Sequence, residues 1–147
     1  MKRNMRFITV LLVFVTILSG CAAGNMTVAL PNPESVVTPP PAGLASELAA
    51  FSGTWEGMWD GILQSRLIVE TIDTKSARVV YVWGDHPSGA FKAGWQRYKA
   101  KILPEGKLQW GSSVEFTFQM TKDRMSIKGE RVRAGVISQV TMKKVGP

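Results

Sequence analysis

Apolar and polar positions follow three different rhythms along this chain. Phe7 to Leu18 reads FITVLLVFVTIL without a single charge, behind a start that carries Lys2, Arg3 and Arg6. From Ala22 to Ala42 no period is visible, and five of the eight prolines fall there beside one charge, Glu34. Leu44, Leu48 and Phe51 then share a helical face, which predicts a short helix over Gly43 to Phe51 with Ser46 as an early cap. Beyond Phe51 the period becomes two. Val114, Phe116, Phe118 and Met120 alternate with Glu115, Thr117 and Gln119, the pattern of a half-buried strand.

Extending that reading predicts about eight strands: Thr54 to Trp59, Leu63 to Ile72, Ala77 to Trp83, Gly94 to Leu103, Lys107 to Trp110, Val114 to Met120, Arg124 to Val132 and Val136 to Lys143. Most gaps are short and carry turn chemistry, such as Asp60-Gly61, Pro104-Glu105-Gly106 and Ala134-Gly135. Only Gly84 to Lys92 is longer. An all-β fold follows, a small antiparallel up-and-down barrel preceded by a short helix, because closure removes the unpaired edges that invite aggregation. An open sandwich is the alternative. Trp55, Met58 or Trp59, Leu67, Val69, Tyr81, Trp83, Phe116, Phe118, Met120 and Ile127 are expected to point inward. Side chains of that size predict a filled interior rather than a ligand cavity.

The front end has its own logic. A basic start and a charge-free run make an export signal over residues 1–20. Twelve residues rise only about 18 Å as a helix, against roughly 30 Å of hydrocarbon core, so a permanent membrane span is not expected. The run ends in Leu18-Ser19-Gly20-Cys21, which resembles the lipobox of bacterial lipoproteins. That resemblance implies diacylglycerol on the Cys21 thiol, removal of the preceding peptide and acylation of the new amino terminus. Two or more chains at about 0.8 kcal/mol per buried methylene give stable anchoring. Ala22 and Ala23, in place of an aspartate, resemble the lipoprotein class sorted to the outer membrane, facing the periplasm. Residues 21–42 are expected to be a lipidated proline-rich tether, spanning roughly 25 Å as a coil and up to about 65 Å as polyproline. The folded domain is expected over residues 43–147.

Phe51-Ser52-Gly53-Thr54-Trp55 resembles the Gly-x-Trp start of the lipocalin and fatty-acid-binding barrels, where a helical turn leads into the first strand and the tryptophan plugs one end. The Thr-Asp-Tyr turn of lipocalins is missing, and the strands are shorter than theirs. Ser88-Gly89-Ala90-Phe91-Lys92 resembles the Ser-Gly loop of lysozyme-inhibitor lipoproteins. Those proteins commonly carry a disulfide, whereas Cys21 is the sole cysteine here.

Composition narrows the chemistry. The net charge of +7 falls to +4 once the three basic residues of the signal are removed, leaving 15 basic against 11 acidic residues. Arg97, Lys99 and Lys101 share one strand face, and Arg131, Arg133, Lys143 and Lys144 lie near the end, so anionic headgroups or acidic wall polymers are conceivable contacts. Export removes nucleic acid from the partners. One cysteine excludes an internal disulfide and a cysteine-built zinc site, and no cofactor or metal is expected. Glu56 and Asp60 stand about 13 Å apart along a strand, beyond the separations glycosidases use. His86, beside Asp85 and Ser88, lies where neighbouring side chains usually diverge, so no catalytic residue is assigned. The candidate binding residues are Trp59, Trp83, His86, Phe91 and Trp95, with an amphipathic indole edge suited to a rim. The expected function is a non-enzymatic cell-envelope lipoprotein that binds a partner or a small apolar ligand, or serves as an accessory structural domain. The alternative is an inhibitor of a lytic enzyme, a lysozyme or protease, in the periplasm.

Overall fold

The computed structural model describes residues 29–147, so the signal segment and Cys21 lie outside the described residues. A one-turn helix, α1 (Ser46–Ala49), precedes eight strands: β1 (Gly53–Trp59), β2 (Leu63–Ile72), β3 (Ser76–Trp83), β4 (Gly94–Ile102), β5 (Leu108–Gly111), β6 (Val114–Met120), β7 (Ser126–Arg133) and β8 (Val136–Gly146). Each strand pairs with the next, and β8 returns to β1, closing an up-and-down antiparallel barrel. The expected fold class is therefore the observed one. Turns after β1, β3, β5 and β7 form one end, called upper here. The turns after β2, β4 and β6, together with α1 and the carboxyl terminus, form the lower end.

The turns confirm the local chemistry. Asp60 and Gly61 both take positive φ, 50° and 70°, and Ala134 and Gly135 do the same at 48° and 80°. Two consecutive left-handed residues make the hairpin turn whose twist matches the flanking strands. The helix is shorter than the apolar spacing predicted. Ala45 occupies the N-cap without a side-chain bond, so Ser46 is not the cap. A segment this short cannot sustain a helix by itself, and Phe51 is instead drawn under the lower end, fully buried, where its carbonyl accepts the Trp55 indole N–H at 2.8 Å.

Register decides what fills the barrel. Trp55 pairs with Leu67 and Trp59 with Leu63, Leu67 faces Tyr81, and Trp110 faces Phe116. Trp59, not Met58, is the inward residue at the end of β1: Trp59 is buried while Met58 is 48% exposed. Trp110 stacks on Phe118 at 5.3 Å and 4°, and on Phe116 at 5.3 Å and 13°, while Trp59 meets both phenyl rings edge-on. Room for these rings comes from a glycine: a Cβ on inward-facing Gly129 would lie 2.4 Å from Phe118 Cε1.

A second, smaller core lies outside the barrel. Ile68, Val80 and Val82 point outward from β2 and β3 yet are buried, covered by Leu30 and Val37. Pro33 is buried as well. Residues 29–42, expected to belong to a free tether, lie instead as an extended strap along the outside of the barrel. Prolines do deny this stretch ladder hydrogen bonds, but docking through side chains needs none. The reach estimated for the whole stretch as free chain does not hold, and the folded unit begins ahead of residue 43.

Candidate functional site

Chemistry-bearing side chains gather at the upper end. Tyr81 comes from the upper half of β3, and its hydroxyl lies 3.1 Å from Ser65 Oγ on β2. Burial pushes the Tyr81 phenol above its ordinary pKa, and the Ser65 hydrogen bond offsets part of that. Arg131, on β7, points inward rather than out. Its Nη2 donates to Ser138 Oγ at 3.0 Å, and its guanidinium sits 5.4 Å from the Trp59 ring. The indole nitrogens of Trp59 and Trp110 are buried without an acceptor among the described residues. Each such donor costs about 1–3 kcal/mol, which the stacked rings must offset.

Above Tyr81, the Trp83 ring stacks at 5.8 Å and 28° and closes the mouth. The Trp83 indole N–H donates to Lys92 O at 2.9 Å, tying the long β3–β4 loop to the barrel. That loop is internally braced. His86 N–H donates to Phe91 O, Ala93 N–H donates to Asp85 Oδ1 at 2.7 Å, and the His86 ring lies 5.0 Å from the Phe91 ring. Gly89, at φ 74°, turns the tip.

His86 and Ser88 do meet, against the expectation that neighbours diverge: Nδ1 and Oγ are 2.7 Å apart. The same Nδ1 also receives the Ser88 backbone N–H at 3.2 Å. Both contacts are local to a three-residue turn, and Asp85, the adjacent acid, is engaged with Ala93. A nucleophilic triad needs a carboxylate on the far side of the imidazole from the serine, and none of the bonds here supplies it. Among the described residues no group of three or more His, Cys, Asp or Glu could hold a metal ion.

The five candidate binding residues separate into three places. Trp83, His86 and Phe91 come together around the loop. Trp59 is 1% exposed and belongs to the core. Trp95 faces outward from the start of β4, 46% exposed, with the Arg97 guanidinium 5.8 Å from its ring. Cys21 lies outside the described residues.

The carboxylates and cations considered from the sequence turn out to be largely structural. Glu56 is bound by Arg66, Nε to Oε1 at 2.7 Å. Asp60 accepts the Gln139 N–H at 2.9 Å, and that bond, then Ser138, hold its carboxyl below the usual range. The basic stripe is broken, because Arg97 donates Nε and Nη2 to the two oxygens of buried Glu70, each at 2.9 Å, and Nη2 also reaches Glu34 O in the strap at 3.0 Å. Glu70 sits at a bulge in β2, without a partner across the ladder, and its carbonyl accepts the Thr38 N–H at 2.8 Å. Strap, bulge and ion pair thus form one device that the sequence reading missed. One signal was there: LIV at 67–69 and VVYVW at 79–83 are apolar on both faces, as in strands covered on both sides.

Clefts lie on the outer wall. One is lined by Met58, Thr117, Gln119 and Thr141, another by Glu34, Glu70, Trp95 and Arg97. Compared with protein-family models and with curated proteins, the sequence matches none.

Proposed function

We propose that this chain is a non-enzymatic lipoprotein of the bacterial cell envelope whose barrel binds a partner through its outer surface. The observation that carries the reading is the interior. Trp59, Trp110, Phe116 and Phe118 pack ring against ring in the middle of the barrel, which favours an envelope partner over a small apolar ligand held inside. The lipobox-like Leu18-Ser19-Gly20-Cys21 supports attachment to the outer membrane with the barrel in the periplasm. The test has two arms. Radiolabelled palmitate should enter the protein and the mature chain should begin at Cys21; a chain that still begins at Met1 overturns the anchor. Native mass spectrometry of the domain with candidate apolar ligands should show no stoichiometric complex, and a bound ligand that quenches the core tryptophans overturns the filled-barrel reading.

A second reading, inhibition of a lytic enzyme, is supported by the β3–β4 loop. It is exposed at Pro87 to Ala90, braced at its base and turned by Gly89. Loops held rigid before binding suit insertion into an active-site cleft. Undiminished lysozyme and protease activity in the presence of excess protein removes this reading.

A further inference from the structure

Building on the lipid-anchor reading above, we infer that the upper rim of the barrel rests on the bilayer that holds the anchor, through the apolar tips Ile62, Trp95, Val136 and Ile137. The described chain starts at that end. Leu30 lies beside Gly84, just past β3, and Gly84 N–H donates to Gln64 O at the top of β2. From there the strap runs downward, reaching Glu70 at Thr38 and α1 beneath the barrel. Seven residues lie between Cys21 and Ala29, and the eight residue-to-residue steps span at most about 28 Å. The anchored chain thus enters the folded unit at its upper end, which favours that end over the lower one for the membrane.

That end also carries more exposed apolar side chains than the lower end, where Met125 and Val145 stand out. Ile62, Val136 and Ile137 are 56%, 67% and 57% exposed, and Trp95 is 46% exposed. The Asp60–Gln139 bonds set the β1–β2 turn, which carries Ile62, beside the first half of β8, which carries Val136 and Ile137. Ile62 also lies two residues from Gln64, where the strap begins, and Trp95 lies beyond it on β4. The tether thus starts in the middle of an apolar arc that runs along the rim from β8 to β4. Aliphatic tips and an indole are the side chains that settle at a membrane interface.

Charge points the other way, which makes the orientation testable. Upper-end charges balance, Lys92, Arg131 and Arg133 against Asp60, Asp85 and Glu115, whereas toward the lower end the seven cations Lys75, Lys101, Lys107, Lys122, Arg124, Lys143 and Lys144 outnumber the four acids Glu47, Asp73, Glu105 and Asp123. Attraction to anionic lipid alone would place the lower end on the membrane. Docking through the upper rim is apolar and does not require anionic lipid.

The experiment uses the full chain, with acylation verified by intact mass, in phosphatidylcholine vesicles containing nitroxide-labelled lipid. Bimane is attached at Ile62→Cys or Ile137→Cys on the upper rim, or at Thr74→Cys in the exposed lower turn, Cys21 being blocked by its lipid. Quenching at 62 and 137 should exceed that at 74 several-fold, with or without phosphatidylglycerol. An acylated chain quenched equally at all three sites, at none, or mainly at 74 overturns the rim orientation and leaves the anchor standing. A chain without lipid overturns both.

Discussion

Replacing Gly129 with alanine places a methyl group in the most crowded layer of the barrel. Gly129 pairs with Phe118 on one side and Val140 on the other. The added Cβ would lie 2.4 Å from Phe118 Cε1, 2.8 Å from its Cζ and 2.7 Å from Val140 Cγ1. Ordinary contact between carbon atoms needs about 3.5–4.0 Å, so at least one of these groups must move by more than an ångström. Phe118 has nowhere to go: it is fully buried, with Trp110 parallel at 5.3 Å and Trp59 edge-on at 5.9 Å. Overpacking of this kind costs about 1–3 kcal/mol, and the gain from removing a strand glycine returns roughly 0.5–1 kcal/mol. A net loss of about 1–2 kcal/mol corresponds to a fall of roughly 5–15 °C in the melting temperature of a domain this size. Urea unfolding followed by tryptophan fluorescence measures it. Phe118→Leu should relieve the clash, so the double variant should be more stable than the sum of the two single changes predicts, by about 1 kcal/mol. The reasoning fails if Gly129→Ala unfolds at the parental midpoint, or if the two changes add without coupling.

Four further outcomes are expected. Val80→Asp puts a carboxylate at a position with no exposure, between Ile68 and the strap residues Leu30 and Val37; it should cost more than about 2 kcal/mol, visible in the same urea titration. Arg97→Gln removes the bonds to Glu70 and Glu34, so amide exchange at Thr38 should accelerate while core strand amides keep their protection. Asp60, Asp73 and Asp123 are all held below the ordinary carboxylate pKa by hydrogen bonds, led by backbone N–H donors for the first two and by the Thr121 hydroxyl for the third. Their stabilising contribution is therefore present above about pH 4 and lost as the pH falls through their folded pKa values; Asp73→Asn should lessen the acid sensitivity seen by circular dichroism. Burial raises the pKa of Tyr81 and Tyr98, so phenolate absorbance should emerge above pH 10 and stability should fall as the pH rises past that value.

The alternation in the sequence was enough to establish the strands, their facing and the class of the fold. Phe116 and Phe118 against Thr117 and Gln119, or Leu67 and Val69 between turn residues, say which side is inside because successive side chains on a strand point to opposite faces. Asp60-Gly61 and Ala134-Gly135 specify their turns through positive φ, a local property of those residues. Trp55 at the first strand and the aromatic filling of the barrel follow from the same local signals. At the end of β1, alternation left Met58 and Trp59 as rivals, and only the register with Leu63 settled which points inward.

Tertiary structure alone decided the contacts that join distant stretches. Arg97 meets Glu70 across 27 positions and Glu34 across 63, a meeting that depends on the β2–β3–β4 register and on the β2 bulge rather than on any local pattern. Arg131, noted from the sequence only as one of the basic residues near the end, lies on the inward face with Ile127 and Gly129, where the β7–β8 register sets it against Ser138 and barrel packing brings it to the Trp59 ring. The proline-rich strap is the largest difference. Its composition rules out a ladder of its own, yet a docked extended chain needs only an apolar surface to lie on, and that surface exists once Ile68, Val80 and Val82 are brought side by side. Period and turn chemistry are properties of neighbours along the chain, whereas burial of the outer face is a property of the assembled wall.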